Sequence, residues 1–352
     1  MNATFNFIGM IKDGKGTSDE TEQIKGGTKR KLKFMMMCDG NAQFLELSAV
    51  KWNSDSGVIK TWTRGDSTKK SERIDVKYED RFKPEILETV RGDRIYVVDP
   101  VTPQARKEAQ EKGETVAKRE EYLLDTDFIE ALAKFVKQAS ESEMKVQITG
   151  NVDINYSVKD DRYYRTFVPL KVVAANENRA ENCTETIDFH YTGESINKDS
   201  DKFEVNGYFP FYFRQFKRNY FTPITLHAKN EEEGEKYAKL FSSPDANEVK
   251  HISLEVKLIN GSQRREITED DLTDEQKDLI EMGLTTFDEV KKSYGGYGYI
   301  RGERKTDIII EHISRSGLNM KQDTILTVDD LKKKPVLDDI GFNLFGDGED
   351  II

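Results

Sequence analysis

The chain has 352 residues, 36% of them hydrophobic and 34% charged, with a formal net charge of −11. That length suits two domains, or one elaborated domain, at about 150 residues each. Aromatic residues at 10%, set in alternating apolar runs, exclude wholesale disorder.

The acidity does not exclude an anionic ligand. The last eighteen residues, 335–352, hold five acids and no base, so the remainder carries −6, and binding of nucleic acid depends on local basic stripes. Two cysteines, Cys38 and Cys183, are too few for a disulfide framework or a thiolate zinc site. No apolar run approaches the ~18 residues of a membrane span. The start MNATFNFIG lacks the layout of a signal peptide, so a cytoplasmic protein is expected.

In chain order, ATFNFIGMIK reads as a strand and a polar loop follows to Gly27. Leu32, Phe34, Met36 and Cys38 then alternate up to Asp39-Gly40, and Leu45, Leu47 and Ala49 resume beyond it. This pattern predicts a hairpin, because glycine tolerates the positive φ of a tight turn. VIKTWTR, RIDVKY and RIYVVD are shorter strand candidates, and Thr102-Pro103 opens a solvated, charged helix or linker. In DTDFIEALAKFVKQA, Asp127 and Glu130 spell a capping box, and Phe128, Leu132, Phe135 and Val136 share one helical face.

A glycine-bearing strand and hairpin recur from Met144, and TETIDFHYT, KFEVNGYF, TPITLHA, HISLEVKLI and TDIIIEHIS follow as strands. Thr273 and Thr286 cap two short helices, with a glycine stop at Gly283. The expected fold is mainly β with minor α: one or two barrel modules, helical insertions and a disordered acidic tail. The boundaries predicted are 1–125 for the first module, 126–143 for a connecting helix, 144–318 for the second module and 319–352 for linker and tail.

The usual signatures of catalysis fail. In GMIKDGKGT, Gly16 stands where a phosphate loop needs Ser or Thr, and GGYGYIRG puts Arg301 where a dinucleotide fingerprint needs its third glycine. PDANEVK brings Asp245 and Glu248 closer than the strand-to-strand spacing of a metal nuclease. His190, His227, His251 and His312 are scattered, and no serine or cysteine nucleophile is recognisable. No enzyme activity, cofactor or metal is expected.

What recurs is aromatic residues interleaved with Arg and Lys. Such patches stack bases of any sequence while the cations follow phosphates, which suits single strands. The stretch GYFPFYFRQFKRNYF, residues 207–221, contains no acid. As a strand it puts Phe209, Phe211 and Phe213 on one side, and Tyr208, Tyr212, Arg214, Phe216, Arg218 and Tyr220 on the other. In RYYRTFVPLKVV the same period assigns Tyr164, Val168, Leu170 and Val172 to the core, and Tyr163, Arg165, Phe167 and Lys171 to a ligand face. The candidate groove is therefore Tyr163, Arg165, Phe167, Lys171, Tyr212, Arg214, Phe216 and Arg218, with Trp52, Trp62, Tyr297 and Arg301 as further members. The competing account is that these aromatics are core and the cations merely flank it.

With its glycine-bearing strands FNFIGMIK and VQITGNVDI, the hairpin after each, the aromatic and basic strands and the acidic tail GDGEDII, the chain resembles single-stranded DNA-binding proteins of the OB-fold type, including the larger versions in bacteriophage replication. The layout of residues 1–315 and the tail carry the resemblance, and Leu272–Lys292 looks like an insertion seen in some phage proteins of this kind. The resemblance implies single-stranded DNA as ligand, a role in replication or recombination in the host cytoplasm, and a tail that recruits replication proteins through Asp347, Glu349, Asp350, Ile351 and Ile352. The ending EDII departs from the family's Pro-Phe, which leaves the partner open. Rival readings are a β-rich viral structural or assembly protein, and a nuclease or annealing enzyme without a recognisable motif.

Overall fold

The computed structural model describes residues 3–12, 14, 16–53, 57–65, 70–157, 159–197, 203–213, 216–242, 244–266, 268, 271–293, 299–313 and 326–335, and for 261–266, 291–293 and 299–305 the backbone alone. The chain opens with strands β1 (Thr4–Lys12), β2 (Ser18–Ile24), β3 (Gly27–Cys38), β4 (Asn41–Trp52), β5 (Val58–Trp62) and β6 (Arg73–Lys77). Helix α1 (Pro84–Thr89), β7 (Tyr96–Asp99), α2 (Pro103–Lys112), β8 (Glu120–Tyr122) and α3 (Asp125–Glu141) follow, then β9 (Lys145–Ser157) and β10 (Arg162–Ala174). The second half holds β11 (Asn182–Tyr191), β12 (Glu204–Phe213), β13 (Arg218–His227), α4 (Glu231–Phe241), β14 (Lys250–Glu266), α5 (Asp274–Glu281), α6 (Phe287–Ser293), β15 (Tyr299–Ile313) and α7 (Val328–Lys332). The mainly β class with minor α stands.

The strands close two rings. In the first, β1 pairs with β9 and, from Met10 to Lys12, with β3; β3 pairs with β4 and β9 with β10, all antiparallel. A parallel bridge from Leu45 to Phe167 joins β4 to β10 and completes it. In the second, β11 pairs with β14 and, at His190–Tyr208, with β12; β12–β13 and β14–β15 follow, and a parallel bridge from His227 to Ile309 completes it. In both rings the first strand touches the second and fourth, the third and fifth run parallel, and a helix enters between third and fourth. That is the five-stranded arrangement of an OB barrel, present twice.

The sequence dictates the local pieces in plain ways. Asp39 (φ 51°) and Gly40 (φ 74°) form the two-residue turn between β3 and β4. Leu32, Phe34, Met36 and Cys38 face the first core, where Phe128, Ile129, Leu132 and Phe135 of α3 join them. In the second ring Phe241 of α4 packs edge-on against Phe189 and Tyr191.

Two expectations change. The proposed break at 143/144 does not separate the barrels: β9 and β10 close the first ring, and the second begins at β11. The amphipathic helix accordingly packs one face, Phe128, Ile129, Leu132, Phe135 and Ala139, onto the first barrel and leaves its charged face exposed, and does not connect two modules. Its expected capping box is also not formed. Helix α3 starts at Asp125 without a side-chain cap, and Asp127 instead pairs with Arg81 at 2.7 Å.

The two barrels are joined through β1, whose edge runs along β11 from Thr4 to Ile8 before turning to β3. Around that ladder Tyr163 packs edge-on against Phe211 at 5.7 Å. Arg165 of β10 forms an ion pair with Glu185 of β11, whose side chain is wholly buried. Its guanidinium lies 5.8 Å from the Phe167 ring centroid and 5.6 Å from that of Phe209. Lys257 pairs with Asp39, and the Asn260 N–H donates to Asn41 Oδ1 at 2.9 Å.

Replacing Arg165 with Met leaves a buried carboxylate without its cation, and denaturant unfolding should show a loss of about 3–5 kcal/mol. Burial raises the Glu185 carboxyl above the usual range, against the opposing pull of Arg165. The folded state therefore holds that proton more tightly than the unfolded chain. Stability of the wild type relative to Glu185→Gln should accordingly be greatest at low pH and decline as pH rises past the ordinary glutamate value of about 4.3.

Candidate nucleic-acid interface

The inward alternation of β3 and β4 leaves a complementary outward row. Lys29, Lys31, Lys33, Met35 and Met37 of β3 sit opposite Val50, Ser48, Glu46, Phe44 and Ala42 of β4. In an OB barrel this second-and-third-strand face is the one that takes oligonucleotides. Phe44 is 37% exposed, with the Lys33 ammonium 5.2 Å from its ring centroid.

The loop after β1 closes one end of the face. A Cβ at residue 14 would come within 2.9 Å of Met35 Cε, and one at residue 16, where φ is 95°, within 3.3 Å of the Phe44 ring. The glycines that imitate a phosphate loop are there for close approach to this row. At the other end Trp52 lies beside Gly26 and opens on a hollow of about 470 Å³, lined by Val50, Trp52, Val58, Lys60, Tyr78 and Asp125 among others. Burial raises the Asp125 carboxyl above its usual range, against the opposing backbone hydrogen bonds at the start of α3.

The β5–β6 ribbon carries the surface onward. Ile59, Thr61 and Val76 are buried, with Ile59 and Val76 in a small second core beside Val90, Ile95, Val97 and Leu123. Alternation then turns Val58, Lys60 and Trp62 to solvent, opposite Lys77, Asp75 and Arg73. Trp62 is 41% exposed. The lysine row of β3 is less purely basic, since Lys31 pairs with Glu46 at 3.0 Å and Glu20 and Glu22 of β2 stand opposite Lys31 and Lys29.

The structure moves several expected groove residues inward. Phe167 is core, packed edge-on against Phe5 and Phe7, while Tyr163 and Arg165 lie between the barrels. The expected faces of β10 are reversed before Pro169 because the register shifts between Pro169 and Lys171. Tyr164, assigned to the core, is exposed, and Val172, beyond the bulge, is buried. Lys171 is half-buried alongside Val97 of β7.

In the second barrel Phe209, Phe211 and Phe213 point inward and Tyr212, 51% exposed, points out, as the strand period requires. Arg218 is exposed beside the turn. Phe216 packs edge-on against Phe213 and Tyr220, and Tyr220 is buried, because the turn before β13 resets the alternation. Arg214, Tyr297 and the tail residues Asp347, Glu349, Asp350, Ile351 and Ile352 lie outside the described residues, as does the side chain of Arg301, whose backbone is in β15.

Of the expected residues, Trp52 lines the hollow and Trp62 is exposed further along β5, while Tyr212 and Arg218 are exposed near the turn of the second barrel's β12–β13 hairpin. Phe44, Met35, Lys33, Lys60, Arg73 and Lys77 were not singled out for the groove, although the alternation of β3 and β4 already assigned the first three to the outer side. No helix among the described residues is long and apolar enough to cross a membrane.

No family model matches the chain, and no curated protein does. Among solved structures it is similar to a deletion mutant of the single-stranded DNA binding protein from Thermus aquaticus, at 8% identity and a TM-score of 0.30, over 74% of this chain and 87% of that one. A likeness of that degree carries no functional argument, and the two OB rings rest on the strand pairing itself.

Proposed function

We propose that the chain is a non-enzymatic, sequence-tolerant single-stranded DNA-binding protein whose first barrel holds the strand along the outer face of β3 and β4 and onto the β5–β6 ribbon. The observation that supports this reading is the outward row of Lys33, Phe44 and Trp52 on β3 and β4, with Trp52 and Lys60 both lining the hollow and Trp62 turned to solvent further along β5. From Phe44 to Trp52 the strand covers roughly 26 Å at ~3.3 Å per residue, a length in keeping with the ~4–16 nucleotides that one OB barrel occupies. Aromatic faces accept any base, and the cations make affinity depend on salt.

The role in this reading is replication or recombination, suggested by the resemblance and by the acidic tail, which would recruit partner proteins through Asp347, Glu349, Asp350, Ile351 and Ile352. Its ending in isoleucines supplies an apolar anchor beside the acids.

Titrating the protein with oligo-thymidine should quench tryptophan fluorescence at low salt and release the strand as salt rises. Trp62→Ala should weaken binding by about 1–3 kcal/mol, roughly 5- to 150-fold, while changing stability by no more than about 0.5 kcal/mol, as for exposed sites generally. Phe167→Ala should do the opposite, costing about 3–5 kcal/mol of stability as a core truncation with little effect on affinity in the folded fraction. Unchanged fluorescence and no gel shift at low salt would reject the proposal.

A further inference from the structure

The corresponding face of the second barrel is not bare. Tyr208 and Phe221 stand on the outer side of β12 and β13, and the chain's own segment 326–335 lies over them. Leu331 and Phe221 are buried together with Val249, and Leu326, Val328 and Tyr208 pack around that cluster. Thr327 and Asp330 cap the short helix reciprocally. Beyond it Lys334 reaches the first barrel, where its ammonium lies 2.8 Å from Asp161 in the turn between β9 and β10.

We propose that this face is a docking site for a short helical peptide, filled in cis by residues 326–335, and that a partner protein enters by presenting a segment of the same chemistry. The seated segment defines that chemistry: apolar side chains in the spacing of Leu326, Val328 and Leu331, a capped helical turn, and a lysine after the turn for Asp161. The covered centre of the face is apolar, which suits a helix laid in a groove better than a phosphate backbone.

Displacement is feasible because the hold is small. Helix α7 has five residues, far below the ~12–15 needed for an isolated helix to persist, and only Leu331 of it is fully buried. Its advantage over a competitor comes from belonging to the same chain, which makes its binding intramolecular.

The test uses the full chain and a fluorescent peptide of residues 324–335. Leu331→Asp in the chain should unseat the cis segment, and the labelled peptide should then bind at least about tenfold more tightly than to the wild type. Adding Phe221→Ala to that chain should remove the gain, and a peptide carrying Leu331→Asp should not bind. Because α7 follows the last strand of the second ring, Leu331→Asp leaves every ring strand intact, and Val328→Ser serves as a milder second variant. No peptide binding to either opened chain overturns the proposal. So does a gain in oligo-thymidine affinity without peptide binding, since the face would then belong to the nucleic acid. Neither result depends on whether the first barrel binds DNA.

Discussion

One edge of β1 serves both barrels, and everything else is arranged around that sharing. From Thr4 to Ile8 it bonds to β11, and from Met10 it bonds to β3, while β9 occupies the opposite edge from Thr4 to Met10. Gly9 stands at the changeover. A Cβ there would fall 2.0 Å from the Met37 carbonyl oxygen and 2.9 Å from Cys38 Cα, so only glycine lets β3 approach where β11 departs. The consequence is one continuous core rather than two independent ones, with the Arg165–Glu185 pair and the Tyr163–Phe211 contact buried in the seam.

That seam explains why aromatic and basic residues in this chain have two distinct fates. Tyr163 and Arg165 of β10 are consumed in joining the barrels, where an arginine between two phenylalanine rings is structural. Those on β4 and β5 face away from both cores and remain available to a ligand. The second barrel repeats the same ring, but its equivalent face is occupied by the chain's own C-terminal segment. Two copies of one fold thereby present different surfaces, an open aromatic and basic one and a covered apolar one.

Much of this was legible wherever local alternation decides burial. The hairpin at Asp39-Gly40, the inward phenylalanines at 209, 211 and 213 and the outward Tyr212 follow from period two and a turn residue. The reading failed where one extra residue intervenes. The bulge after Pro169 and the turn before Arg218 each reset the alternation, which turned Phe167 and Tyr220 inward. Ring closure was hidden for another reason: Leu45 and Phe167 are far apart in sequence, and a parallel bridge leaves no local signal. The glycine-bearing strand at Gly150 therefore looked like the start of a module. It is the fourth strand of the first, where a Cβ would collide with the Val168 carbonyl at 2.0 Å.

The most direct measurement is photo-crosslinking of a bromodeoxyuridine-substituted single strand to the full chain, with the attached peptides identified by mass spectrometry. Crosslinks should fall on the peptides containing Phe44, Trp52 and Trp62. Crosslinks confined to the second barrel, or none at a concentration where the strand is bound, would contradict the account.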